Sequence, residues 1–256
     1  INKFAYLLKK KVWRNKFHLV STSRWMFDNA RNSSIFKDHN HYLVPIPIDT
    51  NFWTPVSKSV ARSKLSIHKD KFIILFGAAG GFQDFRKGGD LVIDIIFHLR
   101  LYFQQMNISL KDILLLTFGN NSDIPLDLDF IDSRSLGHIT SDITMRNVYS
   151  ASDVLLLPSR QDTLTCIGME AQSCGLPVLC FDSCGVVDIV KDQFSGCVIP
   201  SFHSKLMALK LIELFNNPKL LQSFSSYARD RAIRLWNPKI IAKQYNHIYK
   251  SIITPL

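Results

Sequence analysis

The feature that most constrains this chain is a series of short, continuously apolar runs, each followed by a stretch with helical rhythm. KFIILFG (71–77), DILLLTFG (112–119), DVLLLPS (153–159), PVLCFD (177–182) and SGCVIP (195–200) read as strands, with SLGHI (135–139) as a further short one. Helices are expected over 91–105, 143–151, 169–174 and 186–190, then to the C-terminus with a break at Asn237-Pro238. Strands that are apolar at every position are buried on both faces. With the β/α alternation, that predicts an α/β, Rossmann-like parallel sheet with helices on both faces.

The first fifty residues read differently. A helix over 4–14, a strand over 17–23 and a helix over 24–34 precede a connector, HYLVPIPIDTNFWTPVS (41–57). Pro45, Pro47 and Pro55 deny this connector a regular helix or a central strand, which makes it the best domain boundary in the chain. The strand at 17–23 is expected to belong to another sheet and to lack its partners, leaving apolar surface exposed around Phe4, Trp13 and Trp25. The opening residues have no signal-peptide pattern, and we expect the sequence to begin inside a longer protein.

The formal net charge of +10 suits nucleic acid, an anionic membrane or phosphorylated ligands. Its densest stretch is Lys9, Lys10, Lys11, Arg14 and Lys16, interleaved with Phe4, Leu7, Leu8, Val12 and Trp13. A basic amphipathic helix of this kind can lie on an anionic leaflet, or it can be the solvated face of a helix packed on its own domain. No apolar run approaches the roughly 20 residues that span a bilayer. The five cysteines include no C-x-x-C pair and form no compact framework. They read as buried or incidental thiols of a reducing compartment, which implies a cytoplasmic protein, peripheral on the inner face of the membrane if the basic helix engages it.

In an open parallel sheet, ligands bind beyond the carboxyl ends of the strands. The segment PSRQDTLTCIGMEAQSCGLPVLCFDSCG (158–185) occupies such a place. Asp162 lies in the loop after a buried strand, and Glu170 follows after seven intervening residues, near the start of a helix. Amides around Thr165 and Cys166 sit where that helix begins and favour a diphosphate. A carboxylate one turn further in can accept hydrogen bonds from both ribose hydroxyls. The alternative is that Asp162 caps the helix and Glu170 favours its dipole. Gly77, Gly80 and Gly81 do not form G-x-G-x-x-G and are read as allowing close backbone approach to a donor phosphate or sugar. His138 follows Gly137 at a strand end and is either a nucleotide contact or a core or surface histidine. Asp127 and Asp129 resemble a D-x-D metal motif but are read as solvated loop acids. His39 and His41 lack a third ligand, so no metal site is expected.

These residues fall in an order that resembles the family 4 glycosyltransferases of the GT-B fold. Their signature is P-S-x-x-E, a short loop, then E-A-x-A-x-G-x-P-V, and the corresponding residues are Pro158-Ser159, Asp162, Glu170-Ala171, Gly175 and Pro177-Val178. Pro47, Ile48, Asp49 and Phe52 resemble the family's inter-domain linker, with Pro47 in place of a glycine. FRKGGDLVID (85–94), SASD (150–153), Gly185 with Asp188, and Trp236 follow in family order. Two departures stand out. Gly81 occupies the place of a frequent arginine, with Arg86 nearby, and TLTCIG (163–168) lacks the usual glycine or Asn-Thr pattern.

The resemblance implies a sugar transfer from a nucleoside-diphosphate sugar to a glycan or lipid-linked acceptor, with retention, in surface-polysaccharide assembly. It implies that Asp162 and Lys87 serve catalysis and that Lys87 and Glu170 hold the donor; the reading of the loops adds Gly80, Gly81, Arg86, His138, Thr165 and Cys166 as donor contacts. It implies no required metal or other cofactor and no nucleic-acid partner. It divides the chain into part of an acceptor domain with its linker (1–49), the nucleotide-sugar domain (50–235) and a helix crossing back (236–256). Because a GT-B site lies between two domains, this chain is expected to supply chiefly one wall. A non-catalytic nucleotide-sugar-binding domain and a GT-B-like epimerase are the rival readings.

Overall fold

A computed structural model describes residues 2–13, 17–120 and 125–253, with the side chain of Leu126 left aside. Arg14 and Lys16 of the basic stretch, and 254–256 of the closing segment, lie outside the described residues. The chain begins with α1 (Lys3–Val12), β1 (His18–Ser21), α2 (Arg24–Arg31) and β2 (Asn40–Leu43). It continues through α3 (Lys58–Lys64), β3 (Phe72–Gly77), α4 (Gly89–Gln105), β4 (Ile113–Phe118), β5 (Asp132–Ser135) and α5 (Asp142–Ala151). Then come β6 (Val154–Leu157), α6 (Cys166–Ser173), β7 (Val178–Phe181), β8 (Gly196–Ile199), α7 (Ser204–Asn216), α8 (Pro218–Trp236) and α9 (Pro238–Ile253).

The large sheet is parallel throughout, in the order β5-β4-β3-β6-β7-β8. The chain builds outward from β3 to β5, then returns to the other side of β3 with β6. That reversal creates a crevice between the loops that follow β3 and β6, the position where doubly wound sheets bind ligands. Successive residues of β3 point to opposite faces. Ile73 and Leu75 pack with residues of α5, α6 and the end of α8. Phe72, Ile74 and Phe76 pack with residues of α4 and α7. Helices therefore cover both faces, as the apolar strands required.

Four local expectations need correction. The strand expected at 135–139 lies at Asp132–Ser135. Its polar D-S-R-S sequence is tolerated because β5 is an edge strand, and Gly137, at φ 62°, turns the chain away just beyond it. Helix α6 begins at Cys166, three residues before the expected start at 169. The helix expected at 186–190 is instead a 3-10 turn, Gly185–Asp188. Finally, β2 starts just before the proline-rich connector and runs into it; it stops at Leu43, short of Pro45, and pairs in parallel with β1. The first strand thus has a partner.

This two-stranded sheet is joined to the rest on two sides. Val44 packs with Ile241 and Ile248 of α9, with Val20 and Tyr42 against them, so the last helix covers the small sheet. The connector is strapped down as well. The Ile48 amide donates to the Trp236 carbonyl at 2.8 Å, and the Arg229 guanidinium donates to the carbonyls of Thr50, Trp53 and Ser173 at 2.8–2.9 Å. Phe4 is exposed, and Trp13 stacks on Phe36 with its rings 5.2 Å apart while remaining partly exposed. Trp25 departs from expectation: it is half-buried against the core shared with α6.

Candidate active site at the crossover of the sheet

The loop from β3 to α4 is built around glycine and a cap. Asp84 accepts from the Arg86 amide at 3.1 Å and so fixes the turn Phe85–Lys87. Gly88 then adopts φ 74°, and a side chain there would put its Cβ 2.2 Å from the Pro158 carbonyl oxygen. Only glycine lets the loop after β3 lie this close to the loop after β6. The two loops are also bonded together. The Arg86 carbonyl accepts from the amides of Arg160 (2.8 Å) and Gln161 (3.3 Å). The Arg160 guanidinium binds both Asp90 carboxylate oxygens, at 2.6 and 2.7 Å, and lies 3.9 Å from the Phe85 ring centroid. Arg160 holds the Asp90 carboxyl below its usual range, chiefly through this hydrogen bond.

This docking brings Lys87 to Asp162. The ammonium donates to Asp162 Oδ2, and both side chains are largely shielded from solvent. The backbone of Asp162 is clamped in turn. Its amide donates to Cys184 Sγ at 3.2 Å, and its carbonyl accepts from the Gly185 amide at 2.9 Å. Beyond it, Thr165 caps α6 without a side-chain hydrogen bond, so the first-turn amides of α6 keep their donors available. Cys166, the first residue of that helix, is exposed, and desolvation, Glu170 and Asp162 all push its thiol up.

Glu170 stands one turn into α6 at the floor of a cleft of about 250 Å³. The cleft is walled by Trp53, Phe118, His138, Ile139 and Tyr149, so His138 and Glu170 come together there. The phenol of the fully buried Tyr149 donates to Glu170 Oε2 at 3.0 Å. Burial pushes the Glu170 carboxyl up, and the Tyr149 hydrogen bond opposes that rise. Lys87 and Asp162 stand beside this cleft rather than in its lining, and Ala78 and Ala79 supply the lining from the β3 loop. Gly80 and Gly81 follow directly, Gly81 at φ 60°. Arg86 is exposed and paired with Asp84 at 2.8 Å.

Reading the chain left Arg160, Asp90, Tyr149 and Cys184 without a role in the site. Arg160 is 70 residues from Asp90, and no spacing rule pairs them. Tyr149 has a better signal, since it directly precedes SASD, one helix away from the acid pair. Asp127 and Asp129 stand shortly before β5, towards the end of the parallel sheet opposite these loops. Among the described residues, no group of three His, Cys, Asp or Glu is placed to hold a metal ion.

Asp162 and Glu170 thus flank the start of α6 at the crossover of a Rossmann-ordered sheet. Residues 134–231 match the family described as glycosyl transferases group 1. The matched segment contains Asp162, Glu170 and the 3-10 turn at Gly185. The D-inositol 3-phosphate glycosyltransferase of Stackebrandtia nassauensis is 26% identical over 200 residues, which cover 75% of this chain and 44% of the relative. The chain thus spans less than half the length of that relative. Sucrose-phosphate synthase from Thermosynechococcus elongatus superposes with a TM-score of 0.79 at 20% identity, over 98% of this chain and 62% of its own. Anabaena HepE in complex with UDP-glucose gives 0.73 at 14% identity, over 96% and 67%. The fold is that of GT-B glycosyltransferases, and the likeness includes the small sheet as well as the large one.

Proposed function

We propose that this chain carries the donor-binding half of a glycosyltransferase that moves a sugar from a nucleoside-diphosphate sugar to an acceptor. The observation that carries this reading is the convergence of Lys87, Asp162, the open first turn of α6 and Glu170 on one crevice. The nucleoside fits the cleft over Glu170, with the ribose hydroxyls on its carboxylate. The diphosphate then meets the α6 amides and Lys87, which neutralise the charge that grows as the sugar leaves. Asp162 faces the transferred sugar. The UDP-glucose held by the HepE structure is of the donor class that this arrangement suits. Titration calorimetry with UDP, GDP and their glucose conjugates tests the reading; failure of every one to bind would end it.

The finer expectations follow as part of the same proposal. Residues 1–49 belong to an acceptor domain, and 236–256 cross back to it; α9 covering β1 and β2 supports this. Transfer proceeds with retention, testable from the anomeric configuration of the product by NMR. Lys87 and the α6 amides make a metal or other cofactor unnecessary. The acceptor is a glycan or lipid-linked, in surface-polysaccharide assembly at the cytoplasmic face of the membrane. Helix α1 supports a lipid surface: it rests on the body through Tyr6, whose hydroxyl is 3.0 Å from Ser34 Oγ, and exposes Phe4, Leu7, Leu8 and Val12 beside Lys9, Lys10 and Lys11. Co-sedimentation with phosphatidylglycerol vesicles but not phosphatidylcholine vesicles is expected, and equal behaviour with both would remove the membrane role. No helix among the described residues is long and apolar enough to cross a membrane.

A further inference from the structure

The cleft over Glu170 holds a second carboxylate that the ribose does not account for. Asp142, the first residue of α5, lines it together with Glu170. The sheet order sets which end of the cleft each acid occupies. Glu170 is on the helix after β6, and Ala78 and Ala79 follow β3. Phe118 and Gly119 lie at the end of β4, and His138, Ile139 and Asp142 follow β5. Along the order β6-β3-β4-β5, the cleft runs from Glu170 outward to Asp142. A nucleoside with its ribose on Glu170 and its diphosphate at Lys87 and the α6 amides extends its base past Phe118 and Ile139, towards Asp142.

The Asp142 carboxylate is available for a ligand there. Ser141 already caps α5, accepting from the Thr144 amide at 3.3 Å. Among the described residues, the Asp142 side chain makes no hydrogen bond and has no ion-pair partner. Its charge is felt across the cleft: after burial, it is the other influence that raises the Glu170 carboxyl. The segment that leads to it is tied to β4. The Leu136 amide donates to the Thr117 carbonyl at 2.8 Å, and the Gly119 amide to the Gly137 carbonyl at 2.9 Å.

An ionised carboxylate only accepts hydrogen bonds. Among the common nucleobases, guanine alone presents two adjacent donors on one edge, the N1–H and the N2 amino group. A carboxylate meets both with its two oxygens, a charge-assisted and bidentate contact. Uracil offers its N3–H between two carbonyl oxygens, whose lone pairs repel a carboxylate. Adenine and cytosine each set a single amino group beside a ring-nitrogen acceptor.

We propose that Asp142 reads the base of the donor, and that the donor is a guanosine-diphosphate sugar. The inference rests on the donor-binding reading and deepens it, because it names the nucleotide that the same cleft prefers. An Asp142 that served only the dipole of α5 would not distinguish one base from another.

Calorimetry on this chain with GDP, UDP, ADP and inosine diphosphate tests it. Inosine diphosphate keeps the N1–H and lacks the N2 amino group, so it removes one of the two bonds and leaves the rest of the nucleotide unchanged. GDP is expected to bind about tenfold or more tightly than UDP and ADP, and several-fold more tightly than inosine diphosphate. Asp142→Asn keeps the size of the side chain but turns one acceptor into a donor. It should bring GDP and inosine diphosphate to equal affinity and close the gap between GDP and UDP. Asp142→Ala should likewise make GDP and inosine diphosphate equal. Asp142 is exposed, so both variants should melt with the parent. Equal binding of GDP and inosine diphosphate by the parent, UDP binding as tightly as GDP, or a GDP preference kept by both variants would overturn the base assignment and leave the donor site standing. If none of the four nucleotides binds, the donor reading fails and this inference falls with it.

Discussion

The Lys87 ammonium sits on the Asp162 carboxylate although 75 residues separate them in the chain. Their loops follow β3 and β6, the two strands between which the sheet reverses its order. In this pair each side chain neutralises the other. On the proposed donor reading, a bound diphosphate would offer Lys87 a stronger anion and leave Asp162 free to face the sugar. Asp162→Asn should therefore bind UDP as tightly as the parent or more so, while transfer by the full-length protein falls by roughly a hundredfold or more. Calorimetry and a transfer assay on the same preparation check this. Weakened UDP binding with intact transfer would reverse the assignment of the two residues.

Tyr149→Phe should shift the pH dependence of donor binding. Glu170 must be ionised to accept from both ribose hydroxyls. Burial raises its carboxyl pKa, and the Tyr149 hydroxyl holds that rise in check. On the proposed donor reading, affinity should be lost as pH falls through the Glu170 pKa, and removing the hydroxyl should move this loss to higher pH. Asp142 and His138 share the cleft, and Cys166 and Cys174 lie on either side of Glu170 along the chain. Only Tyr149 donates a hydrogen bond that is deleted in the variant. UDP affinity measured from pH 5 to 8 (about the range of histidine and raised carboxylates) should show the shift. Superimposable profiles would remove Tyr149 from this role.

Asp153→Ala should destabilise the fold without touching the donor site. Asp153 accepts from the Arg62 guanidinium at 2.7 Å and from the Ile73 amide at 2.6 Å, and both acidic and basic side chains are buried. Removing the carboxylate strands a buried guanidinium, at a cost of about 3–5 kcal/mol. Denaturant melts should show the loss, and UDP binding by the folded fraction should persist. A change below about 1 kcal/mol would mean that water reaches Arg62 readily.

The large sheet was legible because five of its strands are almost continuously apolar, broken only by Thr117 in β4, which favours burial on both faces. The edge strand β5 was misplaced for the converse reason: Asp132, Arg134 and two serines carry no hydrophobic signal. The pairing of β1 with β2 was hidden because the prolines that follow Leu43 lowered the expectation for the whole connector. Asp162, Glu170 and Lys87 could be singled out because motif spacing marks them. Arg160 with Asp90, Tyr149 with Glu170 and Cys184 with Asp162 could not, since each pair depends on how separate loops and helices dock. Three-dimensional adjacency of that kind leaves no period in the sequence.

Transfer by the full-length protein should survive chelation of divalent cations. On the proposed donor reading, Lys87 and the α6 amides take up the diphosphate charge that a metal would otherwise offset. An assay in excess EDTA checks this. Complete loss of activity, restored by manganese, would require a metal that this account does not use.

The most direct test of the account is the affinity of the purified chain for UDP and GDP, compared with Lys87→Ala and Glu170→Ala by calorimetry. A charge-assisted contact to the donor contributes roughly 1.5–3 kcal/mol, so each substitution should weaken binding of the preferred nucleotide about tenfold or more. Unchanged affinity in both variants would contradict the placement of the donor at the crossover of the sheet.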